Sequence, residues 1–122
     1  AFDNVSCQLV MPEGCDLATN TFSDHPLEGF AVGVRPPFLD LALVDGIHQI
    51  NGAEARAGQA RMATDIGFLP GMTSGANYAV THRLAASNPD ALILTLAYDS
   101  GEAYLPCGCT PAPIDSKELA HA

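Results

Sequence analysis

Positively charged residues are scarce in this sequence. Its 122 residues contain 5 Lys and Arg against 14 Asp and Glu, which gives a formal net charge of −9 at pH 7. A nucleic-acid-binding protein needs basic surface to neutralise phosphates, so we expect no nucleic-acid partner. Long apolar runs are also lacking, and none approaches the ~20 residues of a membrane-spanning helix. We therefore expect no membrane span, and a chain of this length predicts one domain.

Charge of either sign is low as well. Charged residues make up 16% of the sequence and hydrophobic residues 48%, with a mean hydropathy of +0.14, whereas soluble domains typically contain about 25% charged residues. Such a chain either exposes much neutral surface or buries apolar surface against another protein. The second alternative is favoured, and it predicts partners that are copies of the chain itself or other proteins of an assembly.

Alternating apolar and polar residues, separated by turn residues, indicate β-strands along most of the chain. The predicted strands are 5–11, 29–35, 38–44, 78–85, 91–98 and 103–106. The last three are joined by short turns and predict an antiparallel meander. Its middle strand is apolar on both faces, which is typical of a strand covered on both sides. The predicted fold is therefore all-β, a mostly antiparallel sandwich or jelly roll.

One stretch departs from the strand pattern and predicts at most one short helix, near residues 51–64. Asn51 is a good helix cap, and Glu54 stands at the spacing of a capping box. Gly58 weakens this helix, and the alternation of small and charged residues leaves an extended segment as the alternative. Residues 66–77 have the glycine and proline content of a loop.

The end of the sequence predicts an arm. Residues 1–109 are interpreted as a single β domain and residues 110–122 as a proline-rich segment that follows it. Pro111 and Pro113 favour an extended backbone, and Ile114 and Leu119 are apolar anchors for a neighbouring protein. These four residues are the predicted interface, with a loose terminal segment as the alternative.

Four cysteines, at positions 7, 15, 107 and 109, are compatible with several chemistries. Disulfides among Cys7, Cys15, Cys107 and Cys109 would join the two ends of the chain and indicate an oxidising compartment. Cys107 and Cys109 are also candidate metal ligands, but one intervening residue is fewer than zinc clips use. Disulfides or buried thiols are therefore favoured over a metal site or a redox pair.

A catalytic site has a single candidate pair. His82 and Asp40 each interrupt an apolar alternation, and a carboxylate beside an imidazole is the arrangement of a general base. A purely structural pair is the alternative. The sequence contains no nucleophile elbow, phosphate loop or His-Glu-x-x-His motif, so no cofactor is predicted.

The function favoured by these observations is a non-catalytic structural or interaction subunit of a larger assembly, such as a virion coat or decoration protein or a surface appendage. A secreted binding protein for a small ligand or metal is the second hypothesis. A small β-rich enzyme that uses His82 and Asp40 is the third. A virion, extracellular or periplasmic location is expected rather than the cytoplasm.

Overall fold

The computed structural model describes residues 4–27, 29–30 and 33–104. In chain order, the elements are strand β1 (Gln8–Pro12), a 3-10 helix (Leu41–Leu43), strand β2 (Gly46–Ile50), helix α1 (Gly52–Ile66), helix α2 (Met72–Ser87) and a second 3-10 helix (Gly101–Tyr104).

The two strands form a parallel sheet. Gln8 pairs with Gly46 and the register continues to Pro12 opposite Ile50. A parallel pair cannot be joined by a tight hairpin, and here residues 13–45, which include the first 3-10 helix, separate the two strands along the chain. Pro12 ends β1, because the next residues turn back through a Cys15 N–H to Pro12 carbonyl hydrogen bond of 3.1 Å.

Helix α1 begins where the sequence predicts it. The Asn51 side chain accepts hydrogen bonds from the N–H groups of Ala53 and Glu54, and the Glu54 carboxylate accepts one from the Asn51 N–H. This reciprocal pair is a capping box. Gly67 ends the helix with φ of 70°, a left-handed conformation that glycine adopts at low cost. A helix is therefore present in this stretch, but the prediction of at most one short helix is wrong, because α2 is a second helix of 16 residues.

Small residues allow α1 and α2 to pack closely. A side chain on Gly58 would overlap the backbone of Gly75, and one on Gly75 would overlap the backbone of α1 at Ala55. Both glycines are buried. Glycine in a helix interior costs about 1 kcal/mol relative to alanine, and the close approach of the two backbones explains why it stands at both positions.

The core lies between the helices and the sheet. One cluster of buried residues joins both helices to β2 and consists of Leu27, Ile50, Ala55, Ala76 and Val80. A second cluster, beside the end of β1, consists of Met11, Cys15 and Leu17. Among the described residues, no helix is long and apolar enough to cross a membrane.

The predicted all-β sandwich or jelly roll is wrong. Residues 78–85, predicted as a strand, lie inside α2. Residues 38–44 contain a 3-10 helix, and the described part of 29–35 is irregular. In this helix, Tyr78 and His82 are four residues apart and therefore lie on one face. Their ring centroids are 5.4 Å apart.

The predicted central strand is also absent. Residues 92–97 form no backbone hydrogen bond to any other described residue, so there is no meander. Leu92 and Leu94 are 100% and 89% exposed, whereas the sequence predicts cover on both faces. Residues 105–122, which include the predicted arm, lie outside the described residues.

Candidate functional site

The amino-terminal end of α2 presents backbone donors that no side chain caps. The helix begins at Met72 after Gly71, which has no side chain to accept their hydrogen bonds, and the first turn contains no acidic residue. The first N–H groups of a helix have no partner within the helix. Together with the helix dipole, they favour an acceptor or negatively charged group at this position.

Ser74 places a hydroxyl in this first turn. It is 2% exposed and is the one buried polar residue in the part of the chain that the structure describes. Its Oγ accepts a hydrogen bond of 2.9 Å from the backbone N–H of Tyr98. A serine hydroxyl has one proton to donate as well as lone pairs to accept, and no described residue accepts the proton. Ser74 is therefore a buried hydrogen-bond donor.

A turn packed against the start of α2 holds this region in place. The Gly71 N–H donates to the Asp99 carbonyl at 2.9 Å, and the Gly101 N–H donates to the Leu69 carbonyl at 2.8 Å. Pro70 and Ser100 form an antiparallel bridge between these two bonds. Gly101 is required here because a side chain would overlap Leu69. Residues 69–71 and 98–101 are thus held together beside Ser74.

The Ser74 hydroxyl and the first N–H groups of α2 can donate hydrogen bonds to a ligand. Serine and backbone amides have no pKa near neutrality, so a general base would have to come from elsewhere. The arrangement fits an anionic or uncharged acceptor group of a ligand. We take residues Gly71–Ser74 and 98–101 as the candidate site.

A second cluster of polar residues lines a groove of about 260 Å³ between the outer faces of α1 and α2. The Tyr78 hydroxyl donates to Asp65 Oδ2 at 2.9 Å, and Arg61 Nε and His82 Nε2 lie 3.3 and 3.8 Å from the same oxygen. The Tyr78 hydrogen bond, with help from Arg61, lowers the pKa of Asp65. On the same groove, Arg83 pairs with Glu54 at 3.2 Å.

Each charge in this groove has a partner, so the cluster is explained as a contact between helices. The carboxylate beside His82 belongs to Asp65. Asp40 caps the first 3-10 helix instead. The Asp40 carboxylate accepts a hydrogen bond of 2.9 Å from the Ala42 N–H at the start of the first 3-10 helix. The structure therefore does not bring together the pair that the sequence indicated as a candidate general base.

The described cysteines are not cross-linked. Cys7 is an exposed thiol and Cys15 a buried one. Cys107 and Cys109 lie outside the described residues, as do Pro111, Pro113, Ile114 and Leu119. Within the described ranges, no group of three or more His, Cys, Asp or Glu is placed to hold a metal ion.

Sequence reasoning missed Ser74 because it assigned residues 66–77 to a loop. Pro70 and Gly71 were taken as loop residues, although they directly precede a run that fits a helix. The small residues Gly75, Ala76 and Ala79 were the available signal, because small residues at helical spacing indicate a close helix contact. A hydroxyl in the first turn of such a helix is a natural candidate for binding.

Curated proteins with similar sequences are synthases of amino acids. The chain is 30% identical over 90 residues to O-ureido-L-serine synthase of Streptomyces lavendulae, which is 73% of this chain and 28% of that protein. It is 30% identical over 106 residues to a probable cysteine synthase of Bacillus subtilis, covering 85% and 34%. Cysteine synthase A of Escherichia coli K12 is 33% identical over 97 residues, covering 78% and 30%.

Solved structures agree with the sequence matches. The crystal structure of O-ureido-L-serine synthase superposes with a TM-score of 0.81 at 26% identity, covering 95% of this chain and 38% of that one. An O-acetylserine-dependent cystathionine beta-synthase from Helicobacter pylori gives a TM-score of 0.71 at 30% identity, covering 83% and 33%. The sequence matches no known protein-family profile. The chain spans about a third of the length of the curated relatives that it matches.

These similarities correct the function inferred from composition. The similar proteins are enzymes, so the structural subunit of a virion or surface appendage is wrong, as is the description of the chain as a β-sandwich assembly protein. The virion or extracellular location depended on that hypothesis and on disulfides. It is wrong for the same reason, because the similar proteins are cysteine synthases and related enzymes.

Proposed function

We propose that this chain forms part of a cysteine synthase-type enzyme, which replaces the oxygen substituent on the β-carbon of an O-substituted L-serine. Two observations support the proposal. Almost the whole chain superposes on such a synthase, and its buried polar hydroxyl, Ser74, stands at an uncapped helix end. The second observation carries the proposal, because it supplies a binding site.

The names of the similar proteins define the chemistry. Cysteine, O-ureido-L-serine and cystathionine are all alanines substituted at the β-carbon. Exchange of that substituent requires loss of the α-proton, and pyridoxal phosphate supplies the electron sink that makes this loss feasible. The proposed substrate class is therefore an O-acylated or similarly activated L-serine, together with a small nucleophile.

The described residues fit the noncovalent part of a pyridoxal phosphate site. If pyridoxal phosphate binds here, the Ser74 hydroxyl would be a neutral hydrogen-bond donor for it, and the uncapped N–H groups of α2 would favour an anionic oxygen. The cofactor's aldehyde also needs a lysine amine. Lys117 is the single lysine of the sequence and lies outside the described residues.

A lysine from another part of the synthase fold is consistent with one similar structure. A lysine-to-alanine mutant of O-ureido-L-serine synthase was crystallised with O-ureido-L-serine bound, and it superposes on this chain with a TM-score of 0.80. In our proposal, this chain contributes Ser74 and the start of α2, and the remainder of the fold contributes the reactive lysine.

A chimera tests the proposal. The segment of the Bacillus subtilis protein that matches this chain is replaced by the chain itself, and cysteine formation from O-acetylserine and sulfide is measured in the presence of pyridoxal phosphate. The proposal predicts cysteine formation and a visible absorption band from bound cofactor. A folded chimera that neither binds the cofactor nor forms cysteine would show that the proposal is wrong.

A further inference from the structure

Gln59 of α1 reaches the loop that leads into α2. Its side-chain Nε2 donates a hydrogen bond of 2.9 Å to the Pro70 carbonyl. The acceptor is a carbonyl oxygen, so the amide nitrogen of the carboxamide is the group that must face it. Pro70 directly precedes Gly71, the residue at which α2 is capped. Gln59 therefore ties α1 to the chain immediately before the candidate site.

The Pro70 carbonyl depends on this donor. Pro70 is less than 2% exposed, and buried backbone carbonyls are nearly always paired. The turn at residues 98–101 makes two backbone bonds to the same loop, but they use the Leu69 carbonyl and the Gly71 N–H. The bond from Gln59 thus pairs a buried acceptor that these two bonds leave out.

The aliphatic part of Gln59 contacts α2 as well. A methyl group on Gly75 would overlap Cγ and the backbone nitrogen of Gln59, so Gly75 packs directly against this residue. Ser74, the buried donor of the candidate site, lies between Pro70 and Gly75 in the chain. One half-buried side chain of α1 therefore contacts the chain both before and after Ser74.

We propose that Gln59 is a positioning residue of the candidate site. By bonding to Pro70 and packing on Gly75, it fixes the first turn of α2 so that the Ser74 hydroxyl and the first N–H groups of the helix serve one ligand together. The inference rests on the proposed function, in which that ligand is pyridoxal phosphate. Gln59 acts through the Pro70 carbonyl and Ser74, and donors that are held in place before binding lose less entropy when the ligand arrives.

Positioning can be distinguished from a general contribution to stability by hydrogen exchange. The N–H groups of Gly71, Tyr98 and Gly101 form the bonds that connect the two parts of the candidate site. We call them the site amides. The Glu13 N–H bonds to the Ile50 carbonyl at 2.9 Å, beside the sheet, and is the reference. Loss of positioning should expose the site amides alone, whereas a general loss of stability should affect the reference equally.

Gln59→Leu removes the donor and retains an apolar side chain against α2. In the 122-residue chain, protection of the site amides should fall by about tenfold while protection of the Glu13 amide is retained. Gln8→Leu is the matched control, because this exposed strand residue also bonds through its side chain, to Ser6 and His48. It should leave the site amides unchanged. Full protection of the site amides in Gln59→Leu, or an equal loss at Glu13, would overturn the proposal.

Gln59→Glu separates the donor from the size of the side chain. The ionised carboxylate has no proton to donate to the Pro70 carbonyl, whereas the protonated carboxyl has one. Relative to the original chain at the same pH, protection of the site amides should be about tenfold lower at pH 7 and should recover at pH 4, where the carboxyl binds a proton. Equal protection of the site amides at both pH values would overturn the proposal.

The chimera with the Bacillus subtilis protein measures the consequence for the ligand. Gln59→Leu should weaken pyridoxal phosphate binding by about tenfold, as measured from the visible absorption band, and Gln8→Leu should bind it like the unmodified chimera. Unchanged binding in Gln59→Leu would overturn the proposal. An unmodified chimera that binds no cofactor would reject the proposed function, and the exchange measurements would still decide the role of Gln59, because they need neither cofactor nor substrate.

Discussion

Gly58 of α1 packs directly against Gly75 of α2, and a methyl group on Gly58 would overlap the Gly75 carbonyl oxygen. This contact fixes the position of α2 on α1. Since Ser74 precedes Gly75 in the chain, the contact also positions the candidate site.

The first prediction concerns this contact. Gly58→Ala should lower the free energy of unfolding by about 2 kcal/mol, because overpacking a tight contact costs ~1–3 kcal/mol. Helix propensity alone predicts a gain of about 1 kcal/mol, so the sign of the change is decisive. Urea denaturation measures it. The control Ala60→Ser, at an exposed position of the same helix, should change stability by less than about 0.5 kcal/mol.

The second prediction concerns the capping box of α1. Asn51→Ala removes the acceptor for the Ala53 and Glu54 N–H groups and should cost about 1 kcal/mol. Asn51→Asp keeps an acceptor at the same position and should be close to the original protein in thermal unfolding. Equal melting temperatures for the two variants would contradict a stabilising role for the cap.

A third prediction concerns pH. Hydrogen bonding from Tyr78 lowers the pKa of Asp65 from its ordinary value of 3.8. A carboxyl whose pKa is lower in the folded state adds stability above its ordinary pKa, and the contribution is lost as the pH falls through the folded value. Tyr78→Phe should raise the pKa of Asp65 in an NMR titration.

Asp16 is the internal control for this titration. Its pKa is also lowered, mainly by a hydrogen bond from Thr19, and it should not respond to Tyr78→Phe. If the pKa of Asp65 is unchanged in the variant, the Tyr78 hydroxyl is not the cause of the shift.

The fourth prediction concerns Leu94 in the chain by itself. Because Leu94 is 89% exposed, Leu94→Asp should change the stability of the isolated chain by no more than about 0.5 kcal/mol. Val80→Asp buries a charge in the core beside Ile50 and Ala76 and should abolish cooperative unfolding. Circular dichroism during heating distinguishes the two. Unfolding of the chain by Leu94→Asp would mean that the Leu94 side chain is already covered.

The sequence predicted α1 because its signals are local. Asn51 and Glu54 are three residues apart, and the capping box needs no other part of the chain. Helix α2 was missed because its signals depend on α1. Gly75 favours a loop when it is considered alone, and it fits a helix only because the backbone of α1 lies against it.

The leucine-rich segment, residues 91–98, shows a different limit. Its composition predicts a strand covered on both faces, but in the described residues it forms no strand, and Leu92 and Leu94 are exposed. A pattern of apolar residues predicts that they are buried, but it does not identify the part of the structure that covers them. Ser74 was missed for a third reason, since a single serine gives no signal until the helix that places it is known.

The most direct test of the account is cysteine formation by the chimera with and without the Ser74 hydroxyl. Ser74→Ala removes the buried donor and should lower the rate by at least about tenfold and weaken cofactor binding, because the acceptor on the ligand loses its partner. Ser87→Ala removes an exposed hydroxyl at the other end of α2, where it bonds to the Arg83 carbonyl, and should retain the full rate. If the two variants form cysteine at equal rates, or if the unmodified chimera forms none, the start of α2 is not part of a synthase site.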